Sequence, residues 1–98
     1  MTVSPLTTQA SPLTINACNH GGNQCGSADV TITLLNFATG TTVTASSVEA
    51  NITVSQRSAS NGVFVFRVTA SDDTRTNNSF FFSAGTACGA KEVFVKTQ

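Results

Sequence analysis

Apolar and polar residues alternate along most of this chain, with the two-residue period of a β-strand. The clearest example is DVTITLLNF, residues 29–37. In this segment Val30, Ile32 and Leu34 share one face, and threonines occupy the other. No stretch carries apolar residues at i, i+3, i+4 and i+7 over three helical turns. The pattern therefore predicts an all-β protein.

Seven strands are predicted from this alternation and from the turn residues between them. They lie at 13–17, 29–37, 41–45, 50–56, 62–70, 79–85 and 91–97. The pair Asn61-Gly62 predicts a hairpin, because both residues tolerate the left-handed backbone region. About seven antiparallel strands at this spacing indicate a β-sandwich, immunoglobulin-like or jelly-roll-like.

The first residues of the chain contain two prolines, Pro5 and Pro12. Proline has no amide N–H and so interrupts a strand ladder. We therefore expect residues 1–12 to form an extended N-terminal arm, and residues 13–98 to form a single β-sandwich domain.

The same alternation separates core phenylalanines from candidate surface ones. Four are expected in the core: Phe64, Phe66, Phe80 and Phe82. Phe81 or Phe94 is a candidate for an exposed side chain that contacts a ligand. Because the chain has no tryptophan and no tyrosine, the usual platforms for sugar rings are missing, and a carbohydrate would be held by polar loop side chains.

Three segments resemble bacterial immunoglobulin-like modules and the β-sandwich subunits of surface fibres, such as pili and endospore appendages. They are NGVFVFRVTA (61–70), the polar loop after it (71–78) and the final strand KEVFVKT (91–97). The resemblance covers most of the chain and implies the sandwich architecture. Antibody-type domains pair two distant cysteines across a tryptophan, which this chain lacks. Endospore-appendage connectors carry adjacent cysteines, which are also missing here.

Charge excludes several classes of function. Only 10% of the residues are charged, the formal net charge is zero, and the Lys and Arg residues are scattered. The sequence therefore predicts no nucleic-acid partner and no attraction to an anionic membrane. No apolar run reaches the roughly 20 residues of a membrane-spanning helix, so no membrane span is expected. Low charge and many Ser, Thr and Asn residues favour an extracellular location or a cell or spore surface.

The stretch ACNHGGNQCGSA (17–28) holds Cys18 and Cys25, and the third cysteine, Cys88, lies in the turn TACGA. Cys18 and Cys25 could close a small local disulfide, or Cys88 could bridge to either of them. Each of these pairings leaves one thiol over, which in an oxidising compartment suggests a bond to another copy. We therefore treat the three cysteines as candidate disulfide and assembly residues.

The sequence also offers candidates for metal binding and catalysis. A zinc site from the three cysteines and His20 has the correct ligand number, but its spacing does not match known zinc motifs. The adjacent Asp72 and Asp73 are more typical of a turn than of a calcium site. Nothing supplies a nucleophile, a base and a residue to orient them. The sequence therefore predicts no metal, no cofactor and no enzymatic activity.

These features together favour a structural subunit of an extracellular fibre or surface assembly. Its expected partners are other copies of itself, joined when residues 1–16 add a strand to a neighbour's sheet and when intermolecular disulfides form. The alternative is an immunoglobulin-like binding module of a surface adhesin or a secreted carbohydrate-active protein. Such a module would bind a carbohydrate or a protein through its loops.

Overall fold

The computed structural model describes residues 1–21, 25–85 and 89–98. In these ranges the protein has eight strands and no helix, which confirms the all-β prediction. The strands are β1 Thr2–Ser4, β2 Leu13–Ile15, β3 Ser27–Thr33, β4 Val43–Ser46, β5 Ile52–Ser60, β6 Val63–Ala70, β7 Asn77–Ala84 and β8 Lys91–Thr97. The seven predicted strands correspond to β2 through β8, so the count is eight and not seven. None of the described ranges forms a helix that could cross a membrane.

The strands form two four-stranded sheets. The first sheet has the order β1-β3-β6-β5 and is antiparallel throughout. The second has the order β2-β8-β7-β4, with only the β2–β8 pair parallel. Buried apolar residues come from both sheets and form one cluster, so the arrangement is sandwich-like.

Alternation along the central strands fills the core. In β6 the buried side chains include Phe64 and Phe66, and in β7 they include Phe80 and Phe82, as predicted. The rings of Phe66 and Phe82 come from different sheets and have centroids 4.7 Å apart. Phe80 and Phe82 meet edge to face with centroids 5.1 Å apart. These aromatic contacts join the two layers.

The N-terminal segment pairs with both sheets of its own domain, so the extended arm predicted for residues 1–12 is not shown. Val3 in β1 pairs with Ile32 in β3, at the edge of the first sheet. Leu13 in β2 pairs with Val95 in β8, at the edge of the second sheet. Pro5 directly follows β1 and Pro12 directly precedes β2, so neither proline interrupts a ladder. The β1 segment was too short for its alternation to be recognised in the sequence.

The predicted Asn61-Gly62 hairpin is confirmed and joins β5 to β6. Both residues have positive φ, 52° and 79°. At Gly62 a Cβ atom would overlap the ring of Phe37, so the position requires glycine for space as well as for backbone conformation. Strand β5 extends four residues beyond its predicted end because it continues through an irregularity between Gln56 and Ser58.

Candidate functional site

The cysteine loop, residues 18–25, leaves β2 and returns to β3 at one end of the sandwich. The structure joins Cys18 to Cys25 through a disulfide bond. At the base of the loop, the Gly26 N–H donates to the Asn16 carbonyl at 2.8 Å. A Cβ on residue 26 would lie 2.9 Å from that same oxygen, so glycine permits this close approach. Of the three pairings that the sequence allows, the structure shows the local one, Cys18–Cys25.

Backbone hydrogen bonds connect the start of the cysteine loop to both sheets. The Ala17 N–H donates to the Gln98 carbonyl at 2.7 Å, directly after β8. The Cys18 N–H donates to the Ala70 carbonyl at 2.9 Å, at the end of β6. These consecutive residues therefore connect the two sheets at this end of the molecule.

Cys88, the third candidate assembly residue, lies outside the described residues. Its neighbour Gly89 precedes β8, whereas the Ala17–Gln98 bond lies after β8. A seven-residue strand is about 23 Å long. Gly89 and the base of the cysteine loop are therefore at opposite ends of the second sheet. The role of the three cysteines in assembly stays a prediction.

The disulfide argues against the alternative in which the three cysteines and His20 bind zinc. The sulfur atoms of Cys18 and Cys25 are bonded to each other and are not thiolate ligands. The His20 side chain is exposed, and its backbone N–H donates to the Ala17 carbonyl at 2.9 Å in a turn. Across residues 1–21, 25–85 and 89–98, no group of three or more His, Cys, Asp or Glu side chains could hold a metal ion.

Asp72 organises the turn that follows β6. Its Oδ1 accepts hydrogen bonds from the Thr74 N–H at 3.1 Å and the Thr74 hydroxyl at 2.5 Å. These two bonds, aided by one from Ser71, hold the pKa of the Asp72 carboxyl below its usual range, although its slight burial opposes the shift. Asp73 accepts from the Asn19 side chain at 3.2 Å and so links this turn to the cysteine loop. The turn interpretation of the two aspartates is therefore the one that fits their contacts.

The carbonyl of Arg75 anchors the loop 71–76. It accepts hydrogen bonds from Asn51 Nδ2 at 3.2 Å, Asn78 Nδ2 at 2.9 Å and Thr97 Oγ1 at 2.6 Å. All three donors are buried side chains. This cluster around the Arg75 carbonyl was not predicted from the sequence. The available signal was that Asn78 and Thr97 occupy inward positions in strands whose other inward residues are apolar.

Beside this anchored loop lies a polar groove. It is a concavity of about 440 Å³ between the N-terminal segment, the outer face of β7 and β8, and the loop 71–76. Gln9, Glu49, Arg75, Asn77 and Phe94 are among the lining residues. A second concavity of about 260 Å³ shares Glu49 and Arg75 with the first and extends toward Asp72. We call the two together the end groove.

The sheet edges are the other candidate surfaces. Strand β1 covers only Thr31–Thr33 of β3, and β2 covers only Val95–Thr97 of β8. Within the described chain, the remaining length of each of these two edges has no second strand partner. The outer edge of β5 is interrupted at Arg57, whose guanidinium lies 3.2 Å from the Asp29 carboxylate. A bulge and a charge protect that edge against unwanted pairing.

These features define a small disulfide-bonded all-β protein of two packed four-stranded sheets, with partly covered edges. Comparison of the chain with known protein families, characterised proteins and solved structures finds no match.

Proposed function

We propose that this protein is a non-enzymatic structural subunit of an extracellular fibre or surface assembly. The observation that carries the proposal is the shortness of the two N-terminal edge strands, three residues each, on longer partner strands. A short edge strand is held by few hydrogen bonds and leaves part of its partner's edge open. Such an edge can accept a strand from another copy.

The strand order supports an immunoglobulin-like topology for this subunit. Strands β3-β6-β5 take the places of B-E-D, and β8-β7-β4 take the places of G-F-C. The first strand of that topology is divided here between β1, on the first sheet, and β2, on the second. A divided first strand provides a natural donor, since β1 can leave the domain while β2 keeps its place.

In the proposed joint, β1 of one copy pairs with β3 of the next. Residues 5–12 connect β1 to β2, and eight residues can span up to about 27 Å when extended. Leu6, in this connection, is 85% exposed, so its side chain adds little to the attachment of the segment. The hydrogen bond from the Phe94 N–H to Thr7 Oγ1, 3.0 Å long, is broken when the connection extends to a neighbouring copy. The β1–β3 pairing between two copies would be the same as the β1–β3 pairing within one copy. The free-energy cost of exchanging β1 is therefore low.

Cysteines supply a second proposed connection. A Cys88 thiolate of one copy attacks the Cys18–Cys25 disulfide of the next, which forms one mixed disulfide and releases one thiolate without net oxidation. The placement of Gly89 and the cysteine loop at opposite ends favours a head-to-tail order. The local disulfide also supports an oxidising location, outside the cell or on a cell or spore surface.

The test uses the full chain and measures its molar mass by size-exclusion chromatography with light scattering over a range of concentrations. The variant Val3→Lys puts a charge on the half-buried face of β1 and should prevent strand addition, leaving monomers. The control Leu6→Lys carries the same charge in the same segment, outside β1, and should assemble like the wild type.

Denaturing electrophoresis with and without reductant tests the covalent connection, with mass spectrometry of the linked peptides. A ladder that collapses on reduction, with Cys88 joined to Cys18 or Cys25 of another chain, is expected. A wild-type protein that stays monomeric at every concentration, with one internal bridge and one free thiol, would refute the assembly and favour the binding-module alternative.

A further inference from the structure

We propose that the end groove is a binding site for a neutral oligosaccharide. This function goes beyond assembly, because the groove lies on the outer face of the second sheet and not on the edge of β3. Its size fits an extended ligand: the first concavity, about 440 Å³, falls within the range of small-ligand sites, and the second continues it past Glu49 and Arg75.

Two residues with rings, Phe94 and Pro12, are among the lining residues of this mostly polar groove. Phe94 is half-buried on the outer face of β8, and its direct neighbour across β7 is the small Ser79. Pro12 lines the groove from the N-terminal side. A sugar ring has one or two faces of C–H groups that pack on such surfaces, while its hydroxyls stay available to polar groups.

The remaining lining residues match hydroxyl groups. Gln9 and Asn77 carry planar amides, each with donors and acceptors, and a sugar hydroxyl needs both. Glu49 Oε1 lies 3.6 Å from Arg75 Nε, so a carboxylate acceptor and a guanidinium donor stand side by side. Because their charges offset each other, this pair supplies strong hydrogen-bonding groups without a net charge of its own.

Charge and shape argue against other ligands. Beyond the Glu49–Arg75 pair, the second concavity adds the carboxylate of Asp72, which disfavours phosphates and nucleic acids. An extended peptide prefers an open strand edge with apolar side pockets, whereas the end groove lies on a sheet face and most of its lining is polar. The neutral saccharide is the class that fits both properties.

The walls of the groove are fixed before a ligand arrives. The loop that carries Arg75 is anchored by the buried side chains of Asn51, Asn78 and Thr97. On the opposite wall, the Phe94 N–H donates to Thr7 Oγ1 at 3.0 Å and holds the N-terminal segment against β8. Such preorganisation lowers the entropic cost of binding.

The experiment is saturation-transfer-difference NMR on the full chain with three neutral tetrasaccharides: cellotetraose, maltotetraose and chitotetraose. Phe94→Ala should weaken binding of the responding sugar by about tenfold or more. Phe81→Ala is the matched control, because Phe81 is also half-buried on the outer face of the second sheet but does not line the groove. It should leave affinity within about twofold.

Absence of saturation transfer from all three sugars at millimolar concentration would overturn the proposal, as would an equal loss in Phe81→Ala and Phe94→Ala. The same NMR binding experiment is repeated on Val3→Lys. The result for sugar binding then does not depend on whether copies exchange strands. Phe94→Ala should keep the molar-mass profile of the wild type, which separates loss of the groove from loss of assembly.

Discussion

At the scale of single residues, the most informative positions are polar side chains in the interior. Asn78 and Thr97 occupy places where alternation would put apolar residues, and both are at most 5% exposed. Each donates to the same carbonyl, that of Arg75. A partly buried carbonyl without partners is costly, so these side chains stabilise the loop 71–76 by satisfying it. Asn78 Oδ1 itself has no hydrogen-bond partner among the described residues.

Removal of these donors should lower stability by unequal amounts. We expect Asn78→Ala to cost about 2–3 kcal/mol, because it removes a hydrogen bond and leaves a gap. Thr97→Val keeps the shape and removes only the hydroxyl, so about 1–2 kcal/mol is expected. Urea unfolding followed by circular dichroism measures both.

A surface hydroxyl supplies the control for these two substitutions. Thr44 lies on an exposed face and its hydroxyl is 3.4 Å from that of Ser83. Thr44→Val should change the free energy of unfolding by less than about 0.5 kcal/mol. If Thr97→Val is as harmless as Thr44→Val, the carbonyl of Arg75 does not depend on its side-chain donors.

The sequence predicted the core phenylalanines but not the cluster around Arg75, for a physical reason. Burial of Phe80 or Phe82 follows from a local period of two residues. The Arg75 cluster depends instead on a backbone acceptor that lies 24 residues from Asn51 and 22 from Thr97 in the chain. Long-range placement of a carbonyl has no sequence period, and only the polar interruptions at Asn78 and Thr97 could have pointed to it.

At the scale of elements, strand length decides what the sequence reveals. Strands β3, β6, β7 and β8 have seven or eight residues, and all four were predicted, with the clearest alternation in β3. Strand β1 has three residues, and the proline that follows it suggested an arm. Its pairing comes from the open edge of β3 and not from a pattern of its own.

The hairpin between β5 and β6 supports a prediction at this scale. Gly62 and Gly40 both have positive φ, at 79° and 86°. A Cβ on Gly40 meets nothing within 4 Å, whereas one on Gly62 overlaps the Phe37 ring. Gly40→Ala should therefore lower the free energy of unfolding only by the cost of a left-handed backbone at alanine, about 1–2 kcal/mol. Gly62→Ala should cost this and a further 1–3 kcal/mol or so from crowding.

Thermal or urea unfolding of the two glycine variants checks this difference. Combination of Gly62→Ala with Phe37→Ala should recover only the part of the crowding cost that comes from the ring, because the Leu34 carbonyl oxygen still lies 2.9 Å from the new Cβ. Equal losses in Gly40→Ala and Gly62→Ala would show that Phe37 moves aside freely and that only the backbone conformation matters at this hairpin.

At the scale of the whole molecule, the two ends of the sandwich differ in how they are held. One end carries the cysteine loop, the anchored loop 71–76 and the end groove, and hydrogen bonds there connect both sheets. The other end carries the exposed side chains of Leu35, Phe37 and Val63. The sequence predicted a sandwich and a candidate disulfide, but it contained no indication that Ala17 and Cys18 bond to different sheets.

The Cys18–Cys25 disulfide should therefore stabilise the molecule globally and not only its own loop. Closure of a loop of about eight residues is expected to contribute roughly 2–3 kcal/mol by restricting the unfolded chain. We compare Cys18→Ser/Cys25→Ser with the parent, both in a Cys88→Ser background that prevents bonds between chains. Urea unfolding should show that loss, and reductant should bring the parent to the same value.

Hydrogen exchange separates a global effect from a local one. If the disulfide secures the closure of both sheets, the Ala17 and Cys18 amides should exchange faster in the double variant, since they bond to Gln98 and Ala70 on different sheets. Val30 and Val93, buried in the two sheets, should lose protection only by the amount that global stability falls. Unchanged exchange at Ala17 and Cys18 would mean that their backbone bonds close the molecule without the disulfide.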